Sequence, residues 1–325
     1  MVVVQSAELA KEVLQIQDKN FCNRPETAGR KRLSYNGLDI ALSPYSNYLK
    51  EIKKVLVSNL LSTKNVASFA LTRQEEVSRL IQQVSSLSFA SKTINLSQLI
   101  LNYASSNSSR IAFGKRYDDE EVLGSRYYTL LHEAEYMFTA FFYSDYFYLG
   151  GCIDKIIGKH SKLEKTFTEL DAIYEKIIDD HLQKVKTKSE RQDIVDVLLR
   201  LMEDTSFPFK LTMNHIKAIL LNLISGGANT TTAGVIWTLT ELVKNPIPMK
   251  RVQEELRKAA LNKGCITNVD LSKLEYFKAV IKETFRLHPP APLLIPRETR
   301  PKVLKGLGEI YAGEVFGEFN EYDRE

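Results

Sequence analysis

Gly226-Gly227-Ala228-Asn229-Thr230-Thr231-Thr232 lies in the middle of a run from Thr212 to Asn245 that otherwise reads as one continuous helix. Thr212 suits an N-cap, and Ile216, Ile219, Leu220 and Leu223 recur at helical spacing. Val235, Leu239 and Leu242 resume the pattern before Asn245-Pro246 stops it. Such a helix is roughly 50 Å long, enough to cross a domain. Its centre is a poor helix all the same. The glycines cost about 1 kcal/mol each against alanine, and the consecutive threonines add β-branched crowding. Local rules broken in mid-element often mark a functional site.

Two readings fit that centre. Gly226, Gly227 and Ala228 remove bulk from one face, either for a large flat ligand or for a closely packed helix. Asn229 and Thr230 add an amide and a hydroxyl that can hydrogen-bond a ligand or interrupt the backbone ladder. A phosphate cradle is a poorer rival, because no lysine follows the glycines as Gly-x-x-x-x-Gly-Lys requires.

The rest of the chain has a globular composition: 325 residues, 44% hydrophobic, formal net charge +4. That charge is too small and too evenly spread to argue for nucleic acid. Cys22, Cys152 and Cys265 are few, odd in number and far apart, against a disulfide framework and for a reducing compartment. No signal peptide opens the chain, and no uninterrupted apolar run of membrane-spanning length occurs, so no transmembrane segment is expected. The histidines fall into no His-Glu-x-x-His, no Cys-x-x-Cys is present, and neither is a Gly-x-Ser-x-Gly elbow. No metal site built from protein ligands alone and no hydrolase are predicted.

Helical periodicity dominates the order of elements. After a β-like Val2-Val3-Val4, helices are predicted from Ser6 to Gln17, Tyr45 to Val57, Lys64 to Leu87, Leu96 to Phe113, Glu120 to Phe142, Leu163 to Val185 and Gln192 to Met202. Met249 to Ala260 and Leu274 to Leu287 follow the central helix, and Pro292 to Ile295 reads as a strand. The fold class is therefore mainly α with minor β, built around one long central helix. Lys50, Lys53 and Lys54 form a basic face on one helix. Phe138 to Leu149 is crowded with aromatics, which suits core packing or, alternatively, a substrate-access or membrane-facing lid. Glu283 and Arg286 share a helix face and can pair, with Val280, Phe285 and Leu287 beside them making burial feasible.

Together these residues resemble the cytochrome P450 family of haem-thiolate monooxygenases, in the style of the plant enzymes of specialised metabolism. Gly226 to Thr231 resembles the oxygen-binding helix motif, and Glu283-Thr284-Phe285-Arg286 the Glu-x-x-Arg of the next long helix. Leu287-His288-Pro289-Pro290-Ala291-Pro292, Phe21-Cys22-Asn23-Arg24-Pro25, Ser34-Tyr35-Asn36-Gly37 and Ser43-Pro44-Tyr45 match in order and spacing. The resemblance implies a cytochrome P450-like helical domain over residues 1–300, followed by an unrelated tail over 301–325. It implies haem as cofactor and insertion of one oxygen atom from O2 into a small lipophilic metabolite. It further implies an NADPH-dependent reductase docking on the basic helix, and residence on the cytosolic face of the endoplasmic reticulum, with the cytosol as the alternative for a chain without an amino-terminal anchor.

Residue by residue, the resemblance gives Gly227 and Ala228 the haem face, and Thr230 with Asn229 the proton network of oxygen activation. Arg297 and Lys53 stand where the family holds haem propionates, and Glu283 with Arg286 is a structural pair. The departures are equally specific. Asn229 replaces an acid and cannot shuttle a proton as a carboxylate does. Leu49 and Lys53 replace the family's Trp-x-x-x-Arg. No Phe-x-x-Gly-x-x-x-Cys-x-Gly loop follows Arg286, so the chain contains no axial cysteine in family order. The expectation is a truncated member of impaired activity; the competing reading is a non-catalytic helical module without stable haem.

Overall fold

The computed structural model describes residues 2–116, 121–183, 192–204, 209–261, 266–299 and 315–318. The described residues are mostly helical. β1 (Val2–Val4) leads into α1 (Ala7–Lys11), a π-helical turn over Glu12–Ile16, α2 (Asp18–Phe21) and α3 (Ala28–Leu33). Then come α4 (Asn47–Asn59), α5 (Thr63–Ser68), α6 (Ala70–Phe89), α7 (Leu96–Phe113), α8 (Glu121–Thr139), α9 (Gly150–Ile156), α10 (Lys159–Gln183) and α11 (Ile194–Glu203). The central helix α12 (Met213–Lys244) is followed by α13 (Pro246–Ala260), α14 (Asn268–Leu271) and α15 (Glu275–Leu287). β2 (Arg297–Glu298) and β3 (Val315–Glu318) complete a sheet of order β1-β3-β2.

Local chemistry explains most boundaries. Ser46, Ser62, Asn95 and Asp193 accept a backbone N–H from the first turn of α4, α5, α7 and α11 respectively. Thr212 begins α12, its backbone N–H donating to His215 Nδ1 at 3.1 Å. Gly114 closes α7 in the left-handed conformation, φ 71°. The predicted helix over Lys64 to Leu87 is divided at Phe69, which ends α5 and precedes α6. The helix predicted through Phe142 stops at Thr139.

Pro292 to Ile295 is not a strand. Leu294 takes φ 52° and donates its N–H to Ala291 O, so the prolines around it make a turn, and pairing begins only at Arg297. β3 falls within the segment expected to be an unrelated tail. It lies between the other strands, parallel to β1 with Val3 opposite Gly317, and antiparallel to β2 with Arg297 opposite Phe316.

One apolar core organises the helices. Ile216, Ile219, Leu220 and Ile224 of α12 meet buried residues of α7, α8, α10 and α11, among them Phe113, Tyr127, Tyr174 and Leu198. Packing this dense supplies the main stabilising term of a helical domain. By length and composition α12 could also cross a membrane, a test that the core helix of a soluble protein passes equally.

Candidate functional site

The two halves of α12 have different surroundings. From His215 to Ile224 all but Asn222 and Leu223 are buried, whereas afterwards only Ala228, Thr232, Gly234, Thr238 and Leu242 are. The helix nonetheless runs unbroken through its weak centre. Thr230 Oγ1 donates to Gly226 O at 2.6 Å, so the hydroxyl bonds back one turn and leaves the ladder intact.

Both readings of the small residues find a place. A Cβ on Gly227 would stand 3.2 Å from Ser108 Oγ of α7, and Ala228 is buried, so these two serve helix packing. This differs from the expectation that Gly227 and Ala228 face a cofactor. One residue is 100° of helix rotation, and that rotation gives the open face to Gly226, Thr230 and Thr231 instead. Gly226 has nothing within 4 Å of its Cβ direction.

From Thr230 an apolar groove of about 360 Å³ runs between α12 and α15, lined by Thr231, Gly234, Val235, Leu239, Phe277, Ile281 and Phe285. Gly234 is required for that approach, because a Cβ there would meet Phe285 Cε1 at 2.9 Å. At the far end Trp237 stacks on His288, ring centroids 3.8 Å apart, and His288 Nε2 lies 3.0 Å from Glu241 Oε1.

A second region gathers positive charge. Arg297 donates to Asp18 Oδ1 at 2.8 Å, while Arg24 donates to Ala41 O, Ile295 O and Pro296 O. Desolvation, then the like charge of Arg297, lowers the Arg24 guanidinium from its ordinary value. Lys53 of α4 is held below the usual lysine range by desolvation, then by Arg24 and Arg297. Arg24, Lys53 and Arg297 are thus close enough to feel one another's charge, with Asp18 as partial counterion. Sequence reasoning named Arg297 and Lys53 but not Arg24, which it treated only as part of a motif.

Leu49, where the family has tryptophan, is buried in the core. The loop after α3 is fastened over α12 by Asn222, whose Oδ1 accepts Ile40 N and Ala41 N at 3.0 and 3.1 Å. Tyr35 OH and Lys217 Nζ both donate to Asp171 Oδ1, tying the same loop to α10 and α12.

Glu283 and Arg286 meet as predicted by their spacing, with Arg286 Nε and Nη2 donating to Glu283 Oε2 and Oε1 at 2.8 and 2.6 Å. The pair is not buried: the side chains are 54% and 34% exposed. Arg286 holds the Glu283 carboxyl below its usual value. The outward face of α15 that carries the pair also leaves Leu287 exposed.

The aromatic stretch is not chiefly core. Phe142 is fully buried, but Phe141, Tyr146, Phe147, Tyr148 and Leu149 are exposed, joined by Ile153, Ile156 and Ile157 of α9. Lys159 lies 5.7 Å from the Phe141 ring centroid and donates to Phe141 O. The turn is held from below instead, with Asp154 accepting Tyr143 N and Ser144 N, so the rings project outward.

The described residues fit a flat apolar group carrying carboxylates in two respects: an open small-residue turn beside an apolar groove, and three converging cations. Neither Cys22 nor Cys152 lines the groove; Cys22 Sγ bonds to Lys19 O within its own turn, and Cys152 is exposed on α9. Cys265 lies outside the described residues.

A family model described as Cytochrome P450 matches residues 1–313. Over 307 residues the chain is 42% identical to a 6,7,8-trihydroxycoumarin synthase of Pastinaca sativa, covering 94% of this chain and 60% of that protein. It is 40% identical to a strychnine-11-hydroxylase of Strychnos nux-vomica, over 92% of this chain and 58% of that one. Among solved structures, a zebra fish cytochrome P450 with progesterone superposes with TM-score 0.80 at 21% identity, covering 98% of this chain and 71% of the other. The chain thus spans about 60% of the length of the curated relatives it matches.

Proposed function

This chain belongs to the cytochrome P450 family, and from that premise we propose that it is the haem-binding helical part of a monooxygenase acting on a small lipophilic plant metabolite. The observation that carries the proposal is that Arg24, whose charge with that of Arg297 acts on Lys53, is anchored to Ala41 O of the loop that Asn222 fastens to α12. Three mutually repelling cations are stabilised by an anionic ligand, and paired carboxylates on a flat apolar ring system would suit both the charges and a small-residue turn. When bound, haem supplies the oxygen chemistry, with a thiolate pushing electron density toward O–O cleavage.

The protein's own contributions are separable. Arg24, Lys53 and Arg297 bind the carboxylates. Gly226 admits the ring edge, and Thr230 presents a hydroxyl on the open face of α12. Its hydroxyl proton is held by Gly226 O, leaving the oxygen's lone pairs to accept a proton donor. The loop fastened by Asn222 roofs the substrate space and excludes water. Lys50 and Lys54, exposed on α4, offer the electron donor an electrostatic target. The outward rings of residues 141–149 with Lys155, Lys159 and Lys162 suit contact with a membrane surface, which agrees with residence at the cytosolic face of the endoplasmic reticulum. The relatives' names, a synthase of a trihydroxycoumarin and a hydroxylase of strychnine, support a small metabolite of the class proposed here.

A second reading is a helical module that holds no haem stably. It is favoured by one observation, that neither Cys22 nor Cys152 borders the groove. A carbon-monoxide difference spectrum of the reduced, haem-supplied chain separates the two. A thiolate-type band, lost on changing one cysteine among Cys22→Ser, Cys152→Ser and Cys265→Ser, supports the monooxygenase reading. Absence of any such band supports the module.

A further inference from the structure

Position 229 is an amide where the family's motif carries an acid, yet the structure places a carboxylate there from another helix. Asn229 Nδ2 donates to Glu135 Oε2 of α8 at 2.6 Å. Ser225, one turn before Asn229 and on the same face of α12, sets its buried hydroxyl toward the same carboxyl. On α8 itself, His132 Nδ1 lies 3.4 Å from Glu135 Oε2, and its ring is 57% exposed. Solvent, imidazole, carboxyl and central helix thus stand in sequence.

We propose that Glu135 is the ionisable acid of this site, replacing the carboxylate that position 229 lacks, with His132 as its connection to solvent and Asn229 as the residue that positions it. The inference rests on the monooxygenase reading for its purpose, and on geometry for its content. A proton on His132 Nδ1 passes to Glu135 Oε2 after a small rotation of the imidazole, and the emptied Nδ1 regains one from water when the exposed ring turns outward. The carboxyl then holds it beside the turn that carries Thr230. An amide cannot perform that step, but it can hold in place the carboxyl oxygen that His132 also approaches, Glu135 Oε2. The chemistry of Glu135 suits the role: desolvation raises it from the ordinary glutamate value, against the opposing effects of His132, Asn229 and Ser225.

The test is a carboxyl-carbon NMR titration of the full chain with labelled glutamate, Glu135 being identified by the signal lost in Glu135→Gln. The wild-type midpoint is expected above that of the exposed glutamates. Asn229→Leu removes the donor that favours the ionised form and is expected to move the midpoint further up, as is His132→Gln. Asn229→Asp sets two carboxyls at hydrogen-bond distance, and the pair is expected to retain a shared proton to a pH higher than in Asn229→Leu. Urea midpoints of each variant distinguish loss of the contact from loss of fold. A Glu135 midpoint in the exposed range, or one indifferent to Asn229→Leu in a folded variant, overturns the proposal. The titration needs no haem, so its failure leaves the haem reading standing, and failure of haem uptake leaves the titration interpretable.

Discussion

The first half of α12 and its second half teach opposite lessons from one helix. Residues 213–224 are surrounded: Ile216, Ile219 and Leu220 are inaccessible, and even Lys217 is buried against Asp171. Residues 225–244 bury only one position in three or four, and their other faces meet Ser108 of α7, Glu135 of α8 and the groove under Phe285. Burial on all sides gives a half that specifies the fold. Partial burial gives a half whose small and polar residues are available for chemistry.

The contrast breaks most sharply on truncation of large side chains. Leu220→Ala is expected to destabilise the chain by about 2–5 kcal/mol, and Leu239→Ala, half-exposed in the groove, by less than about half of that. Urea unfolding of the two variants measures it. Equal losses would mean that the halves are packed alike.

A smaller effect sharpens the groove. Gly234→Val drives a side chain into Phe285 and is expected to cost about 1–3 kcal/mol, part of it recovered in the double variant with Phe285→Ala. Additivity of the two changes would separate Gly234 from Phe285.

A pH effect comes next, away from α12, where α10 joins α11. His181 Nδ1 meets Ile177 O at 2.6 Å and Nε2 meets Asp193 Oδ2 at 2.9 Å, so both ring nitrogens face acceptors and the imidazolium is the satisfied form. Burial opposes that charge, but Asp193, the Ile177 carbonyl and Asp196 together outweigh it and the histidine is raised from its ordinary value. The unfolded chain binds this proton more weakly. The stabilisation is therefore fully present below about pH 6.5, the ordinary histidine value, and is lost as pH rises through the higher folded value. A urea midpoint that falls with rising pH in this window, and a flattened dependence in His181→Gln, are expected.

The smallest effect belongs to Glu283. Its bidentate contact with Arg286 is solvent-exposed, so Glu283→Gln is expected to leave the urea midpoint of this chain unchanged within error.

That last case shows what was legible in the sequence. Spacing alone put Glu283 and Arg286 on one face, and helical periodicity found α12 within one residue at each end. Burial was not legible from spacing. The apolar neighbours of Glu283 were expected to enclose the pair, yet Phe285 turns into the groove and Leu287 outward. Among aromatic residues 138–149, composition could not separate buried Phe142 from exposed Phe147, because the backbone bonds to Asp154 that aim them come from a residue further along the chain. The family motif identified the turn at 226–231 but not its rotation, which puts Gly227 against α7 and opens Gly226. Contacts between distant helices, such as Asn229 with Glu135, leave no periodic trace. Arg24 is the same kind of case, since its meaning comes from Arg297, far along the chain.

We propose that Arg24, Lys53 and Arg297 form an anion clamp for a flat apolar cofactor beside α12. Haem titration of the full chain, followed by its visible absorbance, tests it most directly when repeated with Arg297→Leu and Lys53→Leu, and with the remote Lys155→Leu as control. The account predicts saturable uptake of one haem per chain, at least about tenfold weaker in Arg297→Leu, a loss of roughly 1.4 kcal/mol, and unchanged in Lys155→Leu. Uptake that does not saturate, or that is equal in wild type and Arg297→Leu, would contradict it.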